Sequence, residues 1–196
     1  MKIINVILPI LGCLLVLFSC STVKGIKNSA VFNDDIANNS EELAFLLCQL
    51  YGEDQIIREA NGTKEGVIVM KEIDSINFLK AIKLIESYGF PNRKLLGHYY
   101  EDYECVSLSI PAIMLHNPSK VVEKETYKLL LSEVRKGNLS PELFALFLDK
   151  YYVYYHGYSL YNTQFKRATI KNKERVNKAR LEIGLEILPD SAFSVQ

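Results

Sequence analysis

Ser140 to Gly157 reads S-P-E-L-F-A-L-F-L-D-K-Y-Y-V-Y-Y-H-G, and it carries a full set of helix instructions. A serine side chain can accept a bond from an amide that the first turn leaves unpaired. Proline belongs at the first helical position, where its missing N–H costs nothing. Glu142 then places an acid at the positive end of the helix dipole. The segment runs to about Tyr155, and Gly157 ends it. A chain punctuated in this way predicts a mainly α domain.

Similar punctuation recurs on both sides. Upstream, Lys120 to Lys136 carries Val121, Leu129, Leu130 and Val134 and is closed by Gly137. Glu101 to His116 is a third candidate, in which Pro111 marks a kink or a first turn. From Met70 the positions Ile73, Ile76, Leu79, Ile82 or Lys83, and Ile85 or Glu86 follow helical spacing until Gly89 and Pro91. Val67-Ile68-Val69 suits strand or helix. Asn39 or Ser40 caps the first helix, with Glu41 and Glu42 in its first turn. Leu43, Leu46, Leu47, Leu50 and Tyr51 lie on its inner face, and Asn61-Gly62 stops it after Glu59. Downstream, Tyr158–Phe165 and Ala168–Ile170 lean towards β and predict a small hairpin around Lys166-Arg167. Asn172 to Ile183 is the last helix, stopped by Gly184. The expectation is therefore about six helices stacked in sequence order, with one short β-hairpin near the C-terminal end. The single domain spans 40–190, with a tail at 191–196.

The first twenty residues have a separate purpose. Lys2 precedes an apolar run from Ile3 to Phe18, which is shorter than the roughly 20 residues a bilayer span needs. A positive start and a short apolar core read as a secretory signal peptide, here residues 1–19. Leu17-Phe18-Ser19-Cys20 resembles the lipobox of bacterial lipoproteins, which predicts cleavage before Cys20 and a lipid on its sulfur. Ser21 to Asn39, rich in Ser, Asn, Lys and Asp, reads as a tether. The expected location is outside the cytoplasm, anchored to a bacterial membrane on its periplasmic or cell-surface side. Cys48 and Cys105 then remain. Packing favours two buried thiols, and an exporting compartment also permits a disulfide.

Composition excludes several classes. The 196 residues are 48% hydrophobic and 23% charged, which is ordinary for a globular domain. Basic and acidic residues balance at 23 each, without the basic excess of a nucleic-acid binder. Seven basic residues do crowd Lys166 to Arg180, against the single acid Glu174. In an exported protein they read first as a solvated helix face and second as a contact for anionic lipid. The three histidines are scattered, with no H-E-x-x-H and no cysteine pair at zinc spacing, so neither a metal site nor a cofactor is expected. A G-x-S-x-G elbow and a Gly-rich phosphate loop are also missing from the sequence. Cys105 and His116 would stand about 16 Å apart on one helix, too far for a nucleophile–base pair. Tyr151, Tyr152, Tyr154, Tyr155, Tyr158 and Tyr161 crowd one stretch, as packing residues with hydroxyls at the rim or as an aromatic platform for a sugar.

The order of the polar motifs resembles a bacterial domain-of-unknown-function family, number 6624. D-Q-x-x-R is Asp54-Gln55-Ile56-Ile57-Arg58, and D-x-x-N is Asp74 with Asn77. G-[WF]-P is Gly89-Phe90-Pro91, and an apolar helix ends at Leu115-His116. G-x-L-S-P is Gly137 to Pro141, before a helix carrying Asp149. Y-G-T-Q is Tyr161-Asn162-Thr163-Gln164, and the last motif holds Val176-Asn177, Arg180 and Gly184-Leu185. The resemblance spans about Leu43 to Leu188. The family's usual D-R is Asp149-Lys150 here, which loses a planar fork of donors. The family's Gly is Asn162, a residue that tolerates positive φ.

The resemblance implies a residue list and no activity. His116 and Asp54 are the candidate acid–base pair, since imidazole exchanges protons near neutrality. Gln55, Arg58, Asp149, Tyr161, Thr163, Gln164 and Arg180 are the candidate ligand contacts. The first expectation is a binding or interaction module for a small polar ligand or an envelope protein. A metal-independent hydrolase or lyase is the second, with Asp54 or Asp149 orienting His116 and Arg58 or Arg180 holding an anionic group. The third is a buried polar network that only fixes helix packing.

Overall fold

The clearest helix boundaries trace to residues with a reason to be there. In the computed structural model, which describes residues 40–195, Ser140 Oγ accepts from the Leu143 amide at 3.1 Å, and Pro141 occupies the first position of α8 (Pro141–His156). Gly157 closes α8 in the left-handed region at φ 71°. Signal segment, Cys20 and tether lie outside the described residues.

α1 (Ser40–Ile56) leads through a 3-10 turn at Ile57–Gly62 into α2 (Lys64–Tyr88). Thr63 caps α2 by accepting from Gly66 N, and that cap settles Val67-Ile68-Val69 as helix. α3 (Arg93–Leu96) and α4 (His98–Asp102) are single turns separated by Gly97. α5 (Glu104–His116) contains Pro111, and Asn117 breaks it before α6 (Pro118–Val121). α7 (Lys124–Arg135), α8 and α9 (Lys173–Glu182) complete the series. The described residues thus hold nine α-helices instead of about six. The additional ones, α3, α4 and α6, are one-turn segments: α3 lies between Pro91 and Gly97, where the sequence predicts no helix, and α4 and α6 overlap the starts of the runs expected from Glu101 and Lys120.

Leucines at 43, 47 and 50 on α1 meet Val106, Ile110, Ile113 and Met114 of α5, joined by Phe78, Ala81 and Leu84 of α2 and Phe144, Phe147 and Leu148 of α8. α1 packs most closely on α5, and α6 on α8, so the helices are not stacked simply in chain order. Cys48 and Cys105 join α1 to α5 as a disulfide, which corrects the reading of two buried thiols. Both positions are only half-buried, and facing helices bring their Cα atoms to 4.7 Å.

The predicted hairpin does not form, and the described residues contain no strand beyond one isolated parallel bridge between Thr169 and Ser194. The amides of Leu160, Tyr161 and Thr163 bond to the Asp149 carboxylate, so they are not available to a ladder. The β-leaning Ala168–Ile170 pairs instead with the chain end, through Ile170 N to Ser194 O and Ser194 N to Ala168 O. Residues 191–195 are therefore not a loose tail: Phe193 is buried with Ala168 and Val176 in a small second core. None of the helices among the described residues is long and apolar enough to cross a membrane.

Candidate functional site

The buried stripe of α1 runs Leu43, Leu47, Leu50 and then Asp54, one helical face on which the last position is a carboxylate. Asp54 is fully buried. An ionised carboxylate there must be paired, because desolvating a lone charge costs several kcal/mol or more. Three side chains pair it. Arg58 Nη2 donates to Oδ1 at 2.8 Å, His116 Nδ1 to the same oxygen at 2.9 Å, and Gln55 Nε2 to Oδ2 at 2.8 Å. Arg58 Nε also donates to the Asp54 carbonyl, at 3.0 Å.

The rest of the Arg58 fork reaches α2. Nη1 donates to Asp74 Oδ2 at 3.1 Å, and Nη2 pairs with Asp74 Oδ1. A planar guanidinium serves both carboxylates at once through a fixed fork of donors, which a lysine lacks. Asn117, beyond the end of α5, donates to the carbonyls of Ile113 and Asp74 and fixes α5 against α2. Residues of three motifs, Asp54 with Arg58, Asp74 and His116, thus meet at the polar end of the core.

Burial alone would raise the Asp54 carboxyl. The His116 hydrogen bond and the charges of His116 and Arg58 outweigh it and hold that carboxyl below the usual range. An ionised carboxylate can only accept, so Nδ1 is the protonated nitrogen of His116 in this bond. Its Nε2 is left for another partner. The His116 side chain is 32% exposed and lines an open cavity of about 490 Å³. Met70, Lys71, Asp74 and Ser75 of α2 form one wall, Leu115 to Lys120 a second, and Lys150, Tyr154 and Tyr155 of α8 a third.

Asp54, Asp74 and His116 also bring potential ligand atoms within 4.8 Å of one another. The Arg58 guanidinium bridges the two carboxylates of that set, so a cation would have to displace a charge already bonded to both.

The other expected residues form a second cluster. Asp149 is fully buried and accepts from the amides of Leu160, Tyr161 and Thr163 and from the hydroxyls of Ser159 and Thr163. Asn162 takes φ 56° in the same loop. Tyr161 is buried, and burial pushes its phenol well up, out of reach of ordinary titration. Arg180 donates to the carbonyls of Tyr161 and Glu186. Gln164 is exposed. None of Asp149, Tyr161, Thr163, Gln164 or Arg180 lines the His116 cavity. The contacts of Asp149, Tyr161, Thr163 and Arg180 hold the loop after α8.

A third knot joins the remaining turn motifs. Glu133 is buried on α7 and accepts from Phe90 N at 2.9 Å, Asn138 Nδ2 at 2.8 Å and Lys136 Nζ at 2.7 Å. Glu133 carries no signal in the sequence, because an acid in the last turns of a helix looks solvent-facing. Lys71 and Lys150 were more accessible to inference: Lys71 is one turn before Asp74, and Lys150 follows Asp149. Tyr154 and Tyr155 belong to the tyrosine-rich stretch noted in the sequence.

Comparisons with protein-family models, curated proteins and solved structures return no match.

Proposed function

We propose that this chain is an exported, lipid-anchored protein of the bacterial cell envelope that binds a small polar ligand in the cavity beside His116. One observation carries the reading: a histidine held through Nδ1 by a buried, ionised aspartate borders an open cavity lined by polar and aromatic side chains. A group kept only for packing has no need of such an opening. Export is supported by the signal-like start, by the lipobox-like Leu17 to Cys20 and by the Cys48–Cys105 disulfide, which belongs to an oxidising compartment. Membership of family 6624 rests on the order and spacing of its motif positions in the sequence.

A second reading, proton transfer to or from the bound ligand, is favoured by the Asp54–His116 bond. A carboxylate that fixes the ring through Nδ1 leaves Nε2 to act as acid or base. The reaction class would be hydrolysis or elimination without a metal.

The test is a thermal-shift screen of the full chain in detergent against muropeptides, sugars, phosphosugars, nucleotides and short peptides, with wild type and His116→Ala side by side. At a hundred times its dissociation constant a ligand adds about 2.7 kcal/mol of stability. The expected result is a ligand that stabilises wild type and not the folded variant, and that is then assayed for turnover. No stabilising compound, together with a variant that melts many degrees earlier, would leave His116 as part of a structural network and overturn the proposal.

A further inference from the structure

Three lysines border the His116 cavity, one from each wall: Lys71 on α2, Lys120 on α6 and Lys150 on α8. None of them pairs with a carboxylate among the described residues. Lys120 Nζ stands 5.3 Å from the Phe78 ring centre and Lys150 Nζ 5.0 Å from that of Phe165, contacts that leave each positive charge uncompensated. The acid in the lining is Asp74, and both its oxygens are already bonded to Arg58. Glu72, the next acid along α2, lines the neighbouring groove, which Lys71 also borders. Three lysines on one concave surface outweigh the single net negative charge that the Asp54–Arg58–Asp74 group keeps behind it, and so form a positive cavity with a histidine at its edge.

We propose that this cavity takes a phosphoryl group, with Lys71, Lys120 and Lys150 as its charge partners and His116 beside it; this rests on the cavity being a ligand site at all. The donor chemistry favours phosphoryl over carboxylate. A planar carboxylate is best matched by the arginine fork, and the Arg58 fork is committed to Asp54 and Asp74. Lysines are mobile point charges that can converge on a tetrahedral oxyanion from several sides. Tyr154 and Tyr155 stand on the same wall as Lys150, with ring centres 4.9 Å apart, and offer hydroxyls and ring faces to whatever the phosphoryl group is attached to.

The experiment is isothermal titration of the full chain in detergent with inorganic phosphate, glucose 6-phosphate and glycerol 3-phosphate, and with glucose and glycerol as neutral controls. At least one phosphoryl compound is expected to bind while the neutral controls do not. Lys71→Gln/Lys120→Gln/Lys150→Gln is expected to weaken that binding about tenfold or more, and raised salt to weaken it in wild type. The preferred compound separates the sources: phosphate itself, a sugar phosphate, or the glycerophosphate of a lipid headgroup. Should the triple variant fail to fold, Lys71→Gln/Lys150→Gln replaces it under the same criterion. Equal affinity in wild type and variant, or no binding of any phosphoryl compound, overturns the inference. In the second case a neutral ligand that still depends on His116 would leave the proposed function standing, whereas its absence from the thermal screen as well would remove both.

Discussion

Arg58 decides whether two buried carboxylates are tolerable. Its side chain is 26% exposed and bonded to Asp54 and Asp74, so removing it leaves two acids facing each other across a space built for a cation. Arg58→Leu is expected to lower the unfolding free energy by about 3–5 kcal/mol, the usual cost of stripping one partner from a buried pair, as read by urea denaturation. Asp54 and Glu133 set the acid limit. The carboxyls of both lie below their unfolded values in the fold. Their contribution is therefore complete above the unfolded carboxylate range, near pH 4, and is lost as pH falls through the folded values. Stability measured from pH 6 down to pH 2 should fall below about pH 4, and more gently in Glu133→Gln; a slope unchanged by that substitution would contradict the account. At this scale the sequence revealed the types of residue but not their grouping. Asp54 and Arg58 are four apart and visibly share a helix face, while their meeting with Asp74 and His116 depends on how three helices pack. The same blindness put Asp149, Tyr161 and Arg180 into one list with His116, although they hold a different loop.

Among the elements, caps and stops were the most legible. Ser140, Pro141 and Gly157 bound α8 as their chemistry requires, and Thr63 resolves a stretch that β-branched residues had left open. The failure was at Tyr158–Phe165. Propensity there reports side chains suited to a sheet, but a buried carboxylate on the preceding helix claims the amides first. The turn after α2 gives a sharp test. Gly89 has φ 84° and ψ 176°, a region nearly closed to other residues, and an added Cβ would stand 3.1 Å from Glu133 Oε2 and 3.2 Å from Asn138 Nδ2. Gly89→Ala is expected to cost about 1–3 kcal/mol from the backbone conformation, with crowding added to that. The companion Gly157→Ala, which meets nothing within 4 Å, should cost only the left-handed penalty of about 1–2 kcal/mol. A Gly89 variant as stable as wild type would mean that the Glu133 knot can yield.

For the whole molecule, the mainly α class was legible in the sequence because helix punctuation is local. The pairing of α1 with α5 was not, because equally apolar stripes on several helices leave the choice of partner open. The disulfide fixes that choice. It closes a loop of 57 residues, for which chain-entropy arguments give about 4 kcal/mol. Full reduction should lower the melting temperature by many degrees, and a reduced protein that melts with the oxidised one would deny the bond a structural part. The central claim is that the polar network divides in two: Arg58 and the aspartates hold the helices, while His116 serves the cavity. The unfolding free energy of His116→Ala tests this most directly. His116 is one-third exposed, and without it the buried Asp54 keeps its bonds to Arg58 and Gln55, so the loss should be about 2 kcal/mol or less, the lower part of the range for one hydrogen bond to a charged group. A loss of about 3 kcal/mol or more, matching Arg58→Leu, would make His116 one more clamp of the fold and contradict the assignment of the cavity as a ligand site.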